Sequence, residues 1–172
     1  MRRALNALAV VHGAVAVIMF LALSLVLSLQ VFTRVLMVPV SIIWSEEVAR
    51  FLFLWVVMLG AALSVRTRRH FVIDVTGGRR PEGRLARFLF DILPDAFVLA
   101  FSALLIVQGV GYTAVGTFRT GTNSGIDMAY VYAAIPTFAI LSAIYAAENL
   151  ARDLAEFLAD RDDRISRVPT GV

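Results

Sequence analysis

Between Arg50 and Arg66 the chain carries no charge, and charge crowds both sides of that gap: W-S-E-E-V-A-R at residues 44–50, R-T-R-R-H-F-V-I-D at residues 66–74. A helix from Glu47 to Val65 would rise roughly 28 Å at about 1.5 Å per residue, which matches the ~30 Å hydrocarbon core of a bilayer. The gap therefore predicts a transmembrane helix over 47–65. Ser45 is placed to serve as its N-cap. Glu46 and Glu47 fall in the first turn, where the helix dipole is positive, and Glu46 lies four residues before Arg50, close enough to pair along one face. Arg66, Arg68 and Arg69 mark the end expected to face the cytoplasm.

The rest of the chain repeats this alternation of uncharged runs and charged borders. With 59% hydrophobic and 17% charged residues, the composition lies far from that of a soluble domain. Met1-Arg2-Arg3 resembles the start of a signal peptide, but the uncharged run that follows far exceeds the 7–15 residues of a cleaved apolar region. A retained first helix is expected over 8–32. Residues 35–44, interrupted by Pro39, are too short to span and read as an interfacial or re-entrant piece, with Trp44 in the aromatic belt. The connection 66–87 holds seven arginines against Asp74 and Glu82, which assigns it to the cytoplasm. Within 82–93, Leu85, Phe88, Leu89 and Ile92 recur at helical spacing, the pattern of an amphipathic surface segment, and Pro94 is expected to bend or restart the chain. A third spanning helix follows over 96–118, with Asp91 and Asp95 at its cytoplasmic edge. After the polar turn 119–127, a fourth runs over 128–147 with Pro136 inside it, and an amphipathic extension over 148–163. The expected architecture is all-α: one four-helix transmembrane domain, 1–165, with both termini cytoplasmic and a frayed tail, 166–172.

Little in the sequence suggests chemistry. The absence of cysteine excludes disulfides, thiolate metal sites and cysteine nucleophiles. All sixteen basic residues are arginine, and they cluster beside apolar runs, so the positive-inside rule accounts for the high pI better than nucleic-acid binding does. The mid-depth polar residues are Ser24, Ser28, Ser102, Gln108, Thr137 and Ser142, which suit helix–helix hydrogen bonds; no charge falls among them, against an autonomous proton-coupled carrier. His70 and Asp74 have metal-ligand character, yet two ligands fall short of a zinc site, so a helix cap or a partner contact is the expectation. His12 reads as a packed or interfacial histidine. A bis-histidine haem using His12 and His70 is opposed by the arginines around His70. For Glu46 and Glu47, helix capping together with the Arg50 pair ranks first, contact with a partner second, cation binding last. Gly60 and Ser64 are spaced for close helix contact, Gly109, Gly111 and Gly116 suggest a flat strip, and Trp55 falls mid-membrane.

The ordered set Trp44, Glu46, Glu47, Arg50, Trp55, Gly60, Ala61, His70 and Asp74 resembles the small membrane subunit of tripartite ATP-independent periplasmic (TRAP) transporters, the DctQ-like family. The resemblance continues at S-G-I-D-M-A-Y-V-Y-A-A-I-P, which contains Pro136. It implies a non-catalytic subunit in the bacterial inner membrane, without cofactor, metal or substrate site. Such a subunit binds a large membrane subunit that carries the substrate and sodium sites, while a periplasmic binding protein delivers an organic acid. The small subunit would be a static scaffold for an elevator-like movement. On this reading Glu46, Glu47 and Arg50 brace the periplasmic end of the second helix, and His70 and Asp74 its cytoplasmic end. The competing expectations are a haem- or quinone-associated anchor of a respiratory complex, and a self-sufficient small exporter or channel.

Overall fold

A computed structural model describes residues 2–36, 43–67 and 84–166. Its elements are the helices α1 (Arg2–Val35), α2 (Ile43–Arg66), α3 (Arg84–Gly116), α4 (Met128–Tyr132) and α5 (Ala134–Ser166), with an isolated antiparallel bridge between Thr120 and Asp127. Four stretches are long and apolar enough to cross a membrane: Arg3–Val35, Ile43–Arg66, Ile92–Gly116 and Met128–Ala155.

Small side chains fill the interior and large apolar ones face outward. Ala62, Ala134, Ala139 and Ala146 are fully buried, as are Ser102 and Ser142, while Phe20, Leu25, Phe53, Phe97 and Val107 are among the many large side chains left exposed. Lipid tails are as apolar as leucine, so burial of large aliphatics drives nothing in a bilayer; close backbone approach through small residues does. In water the same exterior would be an aggregation surface.

α5 packs against α3 and α2, α1 packs along α2, and α4 lies on α3. Spans that follow one another in the chain run antiparallel, so the packed pair α2 and α5 runs parallel. At one end Ala9 of α1 clusters with Val65 of α2 and with Tyr145 and Ala146 of α5, and Val98 and Leu99 of α3 pack on them. At the other, Gln30 of α1 bonds to Ser45 of α2. α1 therefore begins, and α5 leaves the bundle, at the same end. The 34 residues of α1 would rise about 51 Å, which a bilayer accommodates by tilt or by overhang into the interfaces.

The prolines act differently from expectation. Pro94 neither bends the chain into a new element nor restarts it: α3 runs from Arg84 through Pro94 to Gly116, so the described part of the expected surface segment 82–93 is the first part of a long helix. The carbonyl that Pro94 leaves without a donor belongs to Phe90, an exposed position near the helix start, where water can satisfy it. Pro136 does divide the expected 128–147 helix. α4 stops at Tyr132, whose carbonyl lacks the donor that residue 136 would supply, and α5 restarts at Ala134 with Pro136 in its first turn, where an N–H has no intrahelical partner in any case. The step is one residue wide and is bridged by Ala133 N donating to Ala129 O (2.9 Å) and Thr137 N donating to Ala133 O (3.1 Å).

Ser45 is not an N-cap. α2 already includes Ile43 and Trp44, and the buried Ser45 hydroxyl accepts from the Gln30 amide at 3.0 Å. The hydroxyl thus joins α1 to α2 instead of starting a helix.

Candidate functional site

Each end of the bundle is tied by a different set of polar contacts. At the first end the α3–α4 connection doubles back on itself. Gly121 N donates to Ile126 O at 2.8 Å, Gly125 N to Gly121 O at 3.1 Å and Met128 N to Arg119 O at 2.9 Å. Gly125 takes φ +66°, in the left-handed region, which glycine enters without steric penalty. The Glu47 carboxylate of α2 accepts from Ser124 N at 2.8 Å and Asn123 N at 3.0 Å. Gly121 lets it come that close: a Cβ there would lie 2.7 Å from Glu47 Oε1 and 2.6 Å from the Ser124 hydroxyl. Below the turn, Trp55 Nε1 donates to Tyr130 O at 3.0 Å, linking α2 to α4. Glu47 therefore binds α2 to a turn about 75 residues later in the chain.

The two glutamates part company here. The expectation that capping and the Arg50 pair use both charges is corrected: only Glu46 pairs with Arg50, at 3.7 Å with both side chains 74% exposed, a contact of little energetic weight. Glu47 is engaged with the turn.

At the opposite end the ties run between side chains of four helices. His12 Nδ1 of α1 hydrogen-bonds the Tyr145 hydroxyl of α5 at 3.0 Å, and the two rings lie parallel to within 6°. Arg66, the last residue of α2, sits over the Tyr145 ring at 5.8 Å, donates to the Asn6 side-chain carbonyl of α1 and lies 3.9 Å from the Glu148 carboxylate of α5. Glu148 also accepts from Arg152 at 3.2 Å. The buried Asn149 amide of α5 donates to Val65 O at 3.1 Å and lies 3.4 Å from Asp95 Oδ1 of α3. Val65 O is one of the last-turn carbonyls that a helix cannot satisfy from within, so Asn149 caps α2 while holding α3.

Asp95, expected at a membrane edge, and His12, expected as a packed or interfacial residue, both belong to this network. Tyr145, Glu148, Asn149 and Arg152 are not among the residues expected from sequence. Their spacing carries a signal: they lie on one helical face at the point where the apolar run ends. His70 and Asp74 lie outside the described residues. Among the described residues no group of three or more His, Asp or Glu is arranged to hold a metal ion.

The glycines expected to form one strip on α3 face two ways. Gly116 meets α4: a Cβ there would lie 2.7 Å from Ala129 N, so close approach requires glycine. Gly109 faces Pro136, whereas Gly111 faces open space. Gly60 on α2 also meets nothing within 4 Å, and Ser64 returns its hydroxyl to Gly60 O at 3.1 Å; among the described residues the contact expected of this pair is not made.

Four apolar spans, small residues inside and polar ties at two ends define a multi-pass helical membrane protein. Residues 23–156 match the family of tripartite ATP-independent periplasmic transporters, DctQ component, and the chain belongs to that family: it is a small permease subunit of a TRAP transporter. It is 32% identical over 123 residues to the sialic acid TRAP transporter permease protein SiaT of Haemophilus influenzae (strain 86-028NP), covering 72% of this chain and 20% of that one. It is 30% identical over 115 residues to the sialic acid TRAP transporter small permease protein SiaQ of Vibrio cholerae serotype O1, covering 67% of this chain and 65% of that one. With the C4-dicarboxylate TRAP transporter small permease protein DctQ of the same organism it shares 36% identity over 72 residues, 42% of this chain and 30% of the relative. The chain thus spans about a fifth of the first relative's length and under two thirds of the other two.

Proposed function

We propose that this subunit is the non-catalytic, fixed scaffold of a TRAP transporter in the bacterial inner membrane. It holds a large membrane subunit that carries substrate and sodium, receives a periplasmic binding protein transiently, and supports sodium-driven uptake of an organic acid. The relatives' names include sialic acid and C4-dicarboxylates, and both are carboxylates. The arginine bias of the sequence assigns the Arg66–Glu148 end and both termini to the cytoplasm, and the Glu47-bound turn to the periplasmic side. Trp44, Glu46, Glu47, Arg50, Trp55, Gly60, His70, Asp74 and Pro136 serve structure or partner contact in this reading, with no substrate role.

One observation carries the proposal: within a family of transporter subunits, the ionisable side chains Glu47, Arg66 and Glu148 of this chain are engaged in tying its own helices together. A part that must stay still while its neighbour moves needs such ties, together with belts that resist tilt and slip. The test is reconstitution in liposomes with the cognate large subunit and binding protein. Labelled carboxylate should enter only with all three components and an inward sodium gradient. Uptake by this chain alone, or undiminished uptake without it, would overturn the proposal.

A further inference from the structure

α3 carries two seams on opposite sides. The inner one, Asp95, Ser102, Gly109 and Gly116, repeats every seven residues and is buried. The outer one, Phe97, Phe101, Leu104, Gln108, Gly111 and Val115, steps by four and three in alternation, the spacing of a helix-packing stripe, and all six positions are exposed. Gln108 lies roughly 12 Å along the helix from Gly116, well inside the span Ile92–Gly116. Its amide makes no hydrogen bond among the described residues.

That amide is the larger unmet demand: on α1, the other large exposed face, the exposed Ser28 hydroxyl also makes no hydrogen bond among the described residues, but a serine hydroxyl can turn back to a carbonyl of its own helix. On α1 the hydroxyls of Ser24 and Thr33 return to carbonyls of their own helix, Phe20 O and Leu29 O, at 2.9 Å each. Those groups can face lipid at little cost. Gln108 cannot, because acyl chains offer neither donor nor acceptor and an unpaired amide in hydrocarbon is costly. One turn on, Gly111 leaves a recess in which a Cβ would meet nothing within 4 Å, room for a second helix at close range.

We propose that the outer seam of α3 docks a transmembrane helix of the large TRAP permease, whose polar side chain or exposed backbone carbonyl pairs with the Gln108 amide while its ridge enters the recess at Gly111. The proposal rests on the reading of this chain as a small subunit that holds a large one. A permease helix is the chosen occupant over a second copy of this chain because in SiaT the similar region makes up 20% of one longer permease polypeptide. There the region similar to 123 residues of this chain is part of the same polypeptide as the remaining four fifths of a permease.

The test uses the chain co-expressed with its cognate permease in native membranes, with a photo-crosslinking benzoylphenylalanine replacing Leu104. An adduct between this chain and the permease is expected. An adduct of two copies of this chain, or lipid adducts alone, would overturn the proposal. Gln108→Leu should lower recovery of the permease with this chain by about threefold, and up to about eighteenfold, the range of interhelical hydrogen bonds in membranes, while Ser24→Ala on α1 leaves recovery unchanged. Because Gln108→Leu makes the span more apolar, insertion should not suffer, and unchanged recovery would count against the seam. If the unaltered chain recovers the permease but gives no adduct from position 104, the seam is wrong and the scaffold reading stands. If the unaltered chain recovers no permease, both fall.

Discussion

The two ends of the bundle solve the same problem with different materials. At the Glu47 end one carboxylate grips the backbone of a glycine-shaped turn. At the Arg66 end the holding is shared among side chains of four helices: Asn6, His12, Arg66, Asp95, Tyr145, Glu148 and Asn149. A backbone grip has few parts and fixes a loop in one shape. A side-chain network has many parts and fixes the spacing of helices. The first should fail locally and completely, the second globally and by degrees.

The largest effect is expected where close packing and the turn meet. Gly116→Val places side-chain carbons against the Ala129 backbone, which even a Cβ would approach to 2.7 Å. Overpacking of this kind costs about 2–3 kcal/mol, read as a lower unfolding midpoint in detergent. Gly111→Val, with open space around it, should leave the isolated chain close to unchanged; equal losses from both would show that helix propensity and not the contact with α4 is being measured. Next comes Asn149→Leu at the other end. It removes the donor to Val65 O and to Asp95, and stranding buried polar groups costs about 2 kcal/mol. The loss should appear as destabilisation of the whole bundle, with the 119–127 turn no more affected than the rest.

The contrast between the ends also marks where sequence reading works. The four spans were legible because a charge-free run of bilayer length has few other uses. The separation of the termini from the α3–α4 turn followed from counting crossings. What failed were readings that needed a third dimension. Ser45 has the residue type and place of an N-cap, and only the approach of α1 shows its hydroxyl committed to Gln30. Pro94 and Pro136 are the same residue in similar surroundings, yet α3 passes through one while the helix breaks before the other. At Pro94 the unpaired carbonyl lies close to a helix end, and at Pro136 the chain is turning down from a tight connection. Glu46 and Glu47 are adjacent and chemically alike, but they point about 100° apart around a helix, so one faces water and the other the turn.

That last pair gives the two smaller predictions. Glu47→Ala removes the acceptor for Asn123 and Ser124, and backbone amide exchange at 121–125 should accelerate by roughly an order of magnitude as the turn opens locally. Amides near Val65 and Asn149 should keep their protection. Glu47→Gln, which retains one acceptor oxygen, should fall between the two. Spread of the effect to the Arg66 end would mean that the two ends are coupled and do not fail independently.

The smallest change is expected from Glu46→Gln. Its partner Arg50 lies 3.7 Å away with both side chains 74% exposed. Water screens such a pair, and two long side chains lose rotamer freedom to form it, so exposed pairs of this type contribute under about 0.5 kcal/mol. The unfolding midpoint and the exchange of residues 121–125 should both match the unaltered chain. A clear loss of stability in the isolated chain would show that Glu46 supports the turn as Glu47 does. A loss of uptake in the assembled transporter with stability unchanged would instead assign Glu46 to contact with another subunit, and would separate by function two residues that the sequence presents as a pair.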